Sequence, residues 1–375
     1  MIKRQLLEVI SKNLFAGKAI ILMGPRQVGK TTILREIIGN MTDSIWLNGD
    51  ESDIQALFDN ISSTRLNALF ADKKIVVIDE AQRIENVGLK LKLITDNLKH
   101  IQLIATGSSA FDLANKINEP LTGRKWEYTL LPVSFAEMVM HHGLIEERRM
   151  LPHRLIYGYY PEIVMNQGQE KYLLKQLTDS YLYKDILMLE SVKKSDKLIK
   201  LLQALAFQVG SQVSDNELGQ LCGLDNKTVN KYLDLLEKVF VIFHLGSFSR
   251  NLRNELKFSR KYYFYDNGIR NALIANFNQP ELRPDLGALW ENFIIAERQK
   301  YLNYNGKWVN SWYWRTKEQK EIDYIEEEDG RISAFEFKWN PEKKVNQPLS
   351  FKNAYPESVF SVIHRDNFES FILPS

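Results

Sequence analysis

Gly24-Pro25-Arg26-Gln27-Val28-Gly29-Lys30-Thr31 is the stretch whose reading decides the fold. It carries glycine at its first and sixth positions and then Lys-Thr, the pattern of a phosphate-binding loop. The apolar run Ala19 to Met23 precedes it and the helical pattern Thr32 to Ile38 follows. In a strand, Gly-rich loop and helix in that order, backbone N–H groups curl around a β-phosphate and the helix N-terminus adds its positive end. Lys30 is then expected to reach the β/γ oxygens and Thr31 to hold magnesium, so Gly24 through Thr32 reads as a site for ATP and Mg2+. A Gly-rich turn without a ligand is the bland alternative, and the flanking strand and helix argue against it.

A phosphate loop needs an acidic residue at the end of a neighbouring strand, and Ile75-Val76-Val77-Ile78-Asp79-Glu80 supplies one. Asp79 is expected to order the metal's water shell, and Glu80 to polarise the attacking water, which predicts hydrolysis beyond binding. The run Ile101 to Thr106 ends in Thr106-Gly107-Ser108-Ser109, where a hydroxyl, Ser108 foremost, is placed to sense the γ-phosphate; a simple polar turn is the competing reading. Arg124 in Leu121-Thr122-Gly123-Arg124 is a candidate arginine finger, acting in a neighbouring subunit of a homo-oligomer, or else a solvated surface arginine.

Working outward, short apolar runs at Ala19 to Met23, Ser44 to Leu47, Lys74 to Ile78, Ile101 to Thr106 and Glu127 to Leu131 alternate with helical segments, so residues 1–145 read as an α/β domain with a parallel sheet. From Leu151 to Glu237 helix follows helix, with Leu173, Leu174, Leu177, Tyr181, Ile186 and Leu187 at near-helical spacing. Ser214 stands three residues before Glu217, the capping-box spacing, and opens a helix ending near Gly223. A second helix from Asp225 leads into the strand-like Val239 to Leu245, a winged-helix order that places 146–265 as a helical and winged-helix middle region.

Between Val192 and Lys261 twelve Lys/Arg face seven Asp/Glu, a net +5 in a chain whose formal charge is +2. Lys227, Thr228, Asn230 and Lys231 lie on the expected recognition helix, and Arg250, Arg253, Lys257, Arg260 and Lys261 follow as a wing would, which makes DNA a candidate partner. Many such modules serve instead as spacers between proteins.

Beyond Gly287 a long helix is followed by strands at Lys307 to Trp314, Glu321 to Ile325 and Ile332 to Phe337, a helix near Leu349 and a strand at Ser358 to Ile363. Within this third region, 266–375, Asp323 and then Glu336-Phe337-Lys338 match the PD-(D/E)xK nuclease arrangement. Strand alternation puts Glu336 and Lys338 on one face. Asp323, Glu336 and helix-borne Glu291 are expected to hold a metal, with Lys338 steadying a water or phosphate charge; a solvated strand pair is the alternative.

The single cysteine, Cys222, excludes an internal disulfide framework and a cysteine-rich zinc site. With no apolar block at the N-terminus and no run of roughly 20 apolar residues, a soluble cytoplasmic protein without membrane contact is expected.

Taken together, the chain resembles a family of prokaryotic AAA-type ATPases with a C-terminal restriction-endonuclease-like domain of unassigned function. The residues that carry the resemblance are Gly24 to Thr32, Asp79-Glu80-Ala81-Gln82, Thr106-Gly107-Ser108-Ser109, Gly123-Arg124 and Leu131-Pro132-Val133-Ser134-Phe135. Further on are Gly158-Tyr159-Tyr160-Pro161-Glu162, Tyr183-Lys184-Asp185-Ile186, Tyr263-Phe264-Tyr265-Asp266, Trp314-Arg315, Glu321-Ile322-Asp323 and Glu336-Phe337-Lys338. Lys184 stands where members often have arginine, and Tyr159 replaces a frequent glycine. The resemblance implies an ATPase core, a winged helix and a nuclease-like module in one α/β chain.

Overall fold

The computed structural model describes residues 1–39, 41–59, 61–108, 117, 120–179, 195–249 and 260–374. Two compact units emerge, Met1–Pro132 with Lys238–Phe240, and Val133–Glu237 with Val241–Ser375.

Among the described residues the first unit holds five parallel strands, β1 (Ala19–Met23), β2 (Ser44–Asn48), β3 (Ile75–Asp79), β4 (Gln102–Gly107) and β5 (Lys125–Thr129), in the order β2-β3-β4-β1-β5. β1 and β4 are buried along their whole length, which is why β1 is a continuous apolar run and β4 is apolar through Leu103 to Ala105. The edge strands β2 and β5 are only partly covered. Ile21, Val76, Ile78, Leu103 and Ala105 pack with Phe58, Leu66, Phe70, Leu91 and Ile94 in one core cluster. β4 lies between β1 and β3, pairing Met23 with Gly107 and Ile78 with Ala105. The carboxyl ends of these three strands therefore sit side by side, the place where open parallel sheets bind ligands.

The second unit begins at a capping box. Ser134 Oγ accepts from the Glu137 N–H at 3.1 Å while Glu137 Oε2 accepts from the Ser134 N–H at 2.9 Å, opening the helix Phe135–His142. The first compact unit runs to Pro132, just before this helix. Helices Leu144–Tyr157, Pro161–Met165, Glu170–Leu177 and Ser195–Phe207 follow. The expected helical positions Tyr181, Ile186 and Leu187, and the motif residues Ser109 and Tyr183 to Ile186, lie outside the described residues.

Next come β6 (Gln212–Val213), helices Asp215–Cys222 and Asn226–Lys238, β7 (Ile242–Ser247) and β8 (Arg260–Phe264). The helix Leu286–Tyr304 precedes β9 (Asn310–Arg315), β10 (Glu321–Glu328) and β11 (Arg331–Lys338); helix Leu349–Ala354, β12 (Val359–His364) and helix Glu369–Ile372 end the chain. All seven strands form one sheet, β12-β11-β10-β9-β7-β8-β6. The join is a parallel pairing of β7 with β9, Gly246 opposite Trp312 and Ser247 opposite Tyr313. This pairing joins the expected regions 146–265 and 266–375 in one sheet.

One face of this sheet carries Trp314, Ile322, Ile325, Ile332 and Ala334 with Phe351 of the Leu349–Ala354 helix. Phe335 and Phe337 instead meet Phe371 of the last helix, with centroids 4.6 and 5.7 Å apart. Among the described residues no helix is long and apolar enough to cross a membrane.

Candidate functional site

Gly24 leaves β1 with φ of +151°, and a Cβ there would lie 2.0 Å from the Leu130 carbonyl oxygen, so only glycine fits. Gly29, at φ +94°, turns the chain into the helix Lys30–Ile38. Pro25 and Val28 are buried beneath the loop, Arg26 and Gln27 lie at its rim, and Thr32 is exposed on the first helical turn. Lys30 folds across the loop, its Nζ donating to the carbonyls of Gly24 at 2.8 Å and Pro25 at 2.9 Å. The loop is also held from outside the motif. Arg4, 6% exposed, donates through Nη1 to the Val28 carbonyl and through Nη2 to the Leu131 carbonyl, each at 2.6 Å.

Thr31 Oγ1 donates to Asp79 Oδ2 at 3.1 Å, which puts a hydroxyl and a carboxylate oxygen at one point beside the loop. Such a pair suits Mg2+, a hard cation that takes oxygen ligands and keeps several waters. The residues present therefore fit a magnesium nucleotide. The other carboxylate oxygen of Asp79 accepts from the Thr106 hydroxyl at the end of β4.

Glu80 follows in left-handed backbone, φ +47°, an uncommon state for a non-glycine residue that clusters at functional sites. Its N–H donates to Asp79 Oδ1 and Thr106 Oγ1, both at 3.2 Å. Its carboxylate accepts from Gln82 Nε2 at 2.6 Å and from Ser108 Oγ at 3.3 Å. Close approach also fixes this turn, since a Cβ on Gly49 would come within 2.5 Å of the Glu80 carbonyl oxygen. Lys30, Thr31, Asp79, Glu80 and Ser108 thus lie along the adjacent ends of three strands. Ser108 touches the Glu80 carboxylate, and the Thr106 hydroxyl joins that of Thr31 in reaching Asp79.

Arg124 is not brought to this place. Its carbonyl accepts from the Ala19 N–H at 2.9 Å, at the amino end of β1, while the loop leaves the carboxyl end. Five strand residues separate the two ends by about 16 Å. Its guanidinium instead donates to Asp96 at 2.8 Å. Within one chain Arg124 does not serve the phosphates.

The second cluster assembles differently from its sequence pattern. Glu336 and Lys338 do share a face of β11, Nζ to Oε1 at 2.7 Å, and Lys338 lies 3.7 Å from Asp323. Asp323 sits at a register shift in β10, a bulge that re-aims it, and accepts from the Phe337 N–H at 2.8 Å. Glu291 arrives from the Leu286–Tyr304 helix and accepts from the Tyr263 hydroxyl at 2.7 Å. Into this group enters Lys261 from β8, only 2% exposed, paired with Glu321 and 3.4 Å from Glu291. Lys261 was expected on a DNA-facing wing; β8 is instead buried from Lys261 to Phe264, and alternation puts Lys261 and Tyr263 on the face towards Glu291.

The electrostatics follow from that insertion. Burial pushes the Glu291 carboxyl up to about 7, with Asp323 and Glu321 adding to the push and Lys261 opposing it. Burial and Asp323 raise Glu336, although Lys338 works the other way. Burial disfavours the charge on Lys261, yet Glu291, Asp323 and Glu321 more than offset it and hold the ammonium well above its usual value. The expected metal set of Glu291, Asp323 and Glu336 shares its place with two ammonium groups, Lys261 beside Glu291 and Glu321 and Lys338 beside Asp323 and Glu336. A dication in that place would meet the like charge of a buried ammonium.

On the Asn226–Lys238 helix, Lys227, Asn230 and Lys231 are exposed, but so is Asp234, and Asn230 donates to the Asp215 carboxylate. Thr228 is taken up in capping, its N–H and hydroxyl donating to Asp225 at 2.9 and 2.7 Å. The face is mixed rather than basic. Arg250, Arg253 and Lys257 lie outside the described residues.

Arg4 and Gly49 carried no sequence signal as site residues, since their partners are far along the chain. Gln82 and Thr106 stood inside quoted motifs without a role of their own.

With this geometry in place, residues 16–139 match the family described as AAA domain, and the first unit, a parallel sheet with a phosphate loop after β1, resembles a P-loop ATPase domain. Residues 148–280 and 286–370 match two families each described as a domain of unknown function, DUF8612 and DUF4143. An uncharacterized protein of Mycobacterium tuberculosis is 25% identical over 337 residues, covering 88% of this chain and 72% of its own length. One of Haemophilus influenzae is 27% identical over 285 residues, covering 72% and 69%. The Walker-type ATPase of Pyrococcus abyssi superposes with a TM-score of 0.53 at 16% identity, over 73% of this chain and 96% of that one, a likeness of fold.

Proposed function

We propose that the chain is a magnesium-dependent ATPase that couples ATP hydrolysis to the handling of DNA. The observation that carries the hydrolytic part is the Thr31–Asp79 contact at 3.1 Å with Glu80 next in the chain, its carboxylate already oriented by Gln82 and Ser108. Magnesium, when bound, supplies positive charge to the β/γ oxygens. Thr31 and Asp79 are the residues to hold it, and Lys30 moves from the loop carbonyls to the phosphates. Glu80 takes the proton of the attacking water, aided by Thr106 and Ser108, which fix the carboxylates.

The DNA part is supported by element order: the helix Ser195–Phe207, β6, two helices, β7 and β8 follow one another as in a winged helix, with Lys227 and Lys231 exposed. The sequence helix, β9, β10, β11, helix, β12 is likewise that of a restriction-endonuclease-like module. Arg124 acts in this reading on a neighbouring subunit, within a homo-oligomer. ATP turnover measured alone and with duplex DNA at two salt concentrations tests it. DNA is expected to stimulate turnover in a salt-sensitive way. Equal turnover with and without DNA, together with no binding at low salt, sinks the DNA part while leaving the ATPase intact. Glu80→Gln is expected to lower kcat about 100-fold.

A specific observation favours a second reading, a nucleotide-controlled switch that binds a protein partner and keeps the nuclease-like module as a silent surface. Lys261 sits where metal chemistry would need carboxylates free. Asp323-dependent DNA cleavage in the presence of Mg2+ or Mn2+ would exclude this reading.

A further inference from the structure

Four carboxylates converge in the second unit from three separate elements: Glu291 from the long helix, Glu321 and Asp323 from β10, and Glu336 from β11. A group of that charge, partly or wholly buried, requires compensation. Here it is supplied by the chain itself. Lys338 lies 2.7 Å from Glu336 and 3.7 Å from Asp323, and Lys261 pairs with Glu321 and approaches Glu291 to 3.4 Å. Arg315 adds a contact to Glu321 at 3.4 Å.

Lys261 is the unusual member. It comes from β8, a strand before the long helix, and its ammonium is buried, lying 5.4 Å from the Tyr313 ring centroid. Its neighbour Tyr263, two residues on and on the same strand face, holds Glu291 by a hydrogen bond of 2.7 Å. Gly210, two residues before β6, closes the same side, since a Cβ there would stand 3.2 Å from Glu291 Oε1. The pairing of β8 with β7, and of β7 with β9, delivers these residues to the carboxylates.

We infer that Lys261 is the resident cation of this cluster, filling by a protonated amine the place that a divalent metal would need, so that the carboxylates are a metal-independent, non-cleaving module. The inference rests on the cluster's geometry alone and does not depend on the ATPase reading. Metal binding then belongs to the phosphate loop, and the C-terminal strands carry an internally neutralised cluster instead of metal-assisted phosphodiester hydrolysis.

The test is a Mn2+ titration of the full chain without nucleotide, read by the loss of the free-ion electron paramagnetic resonance signal. An Asp79→Asn background removes the contribution of the phosphate loop. In that background no binding that depends on Asp323 is expected. Adding Lys261→Gln is expected to create one site for Mn2+, at least about tenfold tighter than any binding before it, and Asp323→Asn is expected to abolish that site. Lys261→Arg, which keeps the charge, is expected to gain nothing. Near-ultraviolet circular dichroism reports whether each variant keeps its fold. Mn2+ binding that Asp323→Asn removes while Lys261 is intact overturns the inference, and this arm needs no Lys261 variant. A folded Lys261→Gln protein that gains no site overturns it equally.

Discussion

The side-chain amide of Gln82 donates to the Glu80 carboxylate at 2.6 Å, two residues along the same turn. Glu80 stands in left-handed backbone, so its carboxylate direction is not set by strand continuation. It is set by Gln82 and, more loosely, by Ser108 at 3.3 Å. A general base must be aimed at the proton it takes, and a small misplacement is costly. Gln82→Ala is therefore expected to lower kcat for ATP about tenfold with KM nearly unchanged. A steady-state series beside Glu80→Gln checks this, and a KM effect equal to the kcat effect would show that Gln82 acts on binding instead.

Arg4 reaches the phosphate loop from the first residues of the chain, bonding Val28 and Leu131 at 2.6 Å each. Arg4→Ala removes both donors from a buried position and is expected to cost about 2 kcal/mol of stability. The same change loosens the loop that cradles the phosphates, so ATP affinity is expected to fall about tenfold. Denaturant unfolding and nucleotide titration of the folded variant measure the two effects separately. Unchanged affinity at reduced stability would confine Arg4 to a packing role.

The first unit was largely legible because its central strands are buried on both faces. Such strands must be continuous apolar runs, and Ala19 to Met23 is recovered residue for residue as β1. The edge strand β5 begins at Lys125, two residues before the apolar signal, because half-covered strands admit Lys125 and Glu127. Val239 to Leu245 read as one strand, but Phe240 adopts φ +59° and β7 starts at Ile242. Ser214 capped its helix as its spacing required, accepting from the Glu217 N–H at 3.2 Å. What could not be read was Lys261. Arg260-Lys261 looks like a solvated basic pair until β8 is placed in the sheet, and the partner Glu291 lies 30 residues further on. Strand register and long-range pairing decide such a residue, and local pattern carries neither.

Asp285 joins two buried arginines, accepting from Arg270 at 2.6 Å and from Arg283 at 2.8 Å. Burial works against its charge, yet the hydrogen bonds from Arg283 and Arg270 more than offset it and bring the carboxyl down to about 2. Asp285→Asn leaves both guanidinium groups without this counter-ion, and removing one partner of a buried pair costs about 3 kcal/mol. Urea unfolding at neutral pH is expected to show that loss. A change below about 0.5 kcal/mol would mean that the remaining bonds of Arg270 and Arg283 suffice.

The Glu291 carboxyl gives the second unit a pH dependence of definite sign. Its ordinary value of 4.5 is raised to about 7 in the folded chain, by burial first and by Asp323 and Glu321 beyond that. Between those two values the folded state holds a proton that the unfolded chain has released, so stability falls as pH rises. The favourable contribution is fully present below about pH 4.5 and is gone above about pH 7. Glu291→Gln, which cannot ionise, removes this dependence. The stability difference between the variant and the wild type, measured by urea unfolding at closely spaced pH values, is therefore expected to move in favour of the variant from pH 4.5 to 7. A difference that stays flat across that window would show that Lys261 holds Glu291 ionised throughout.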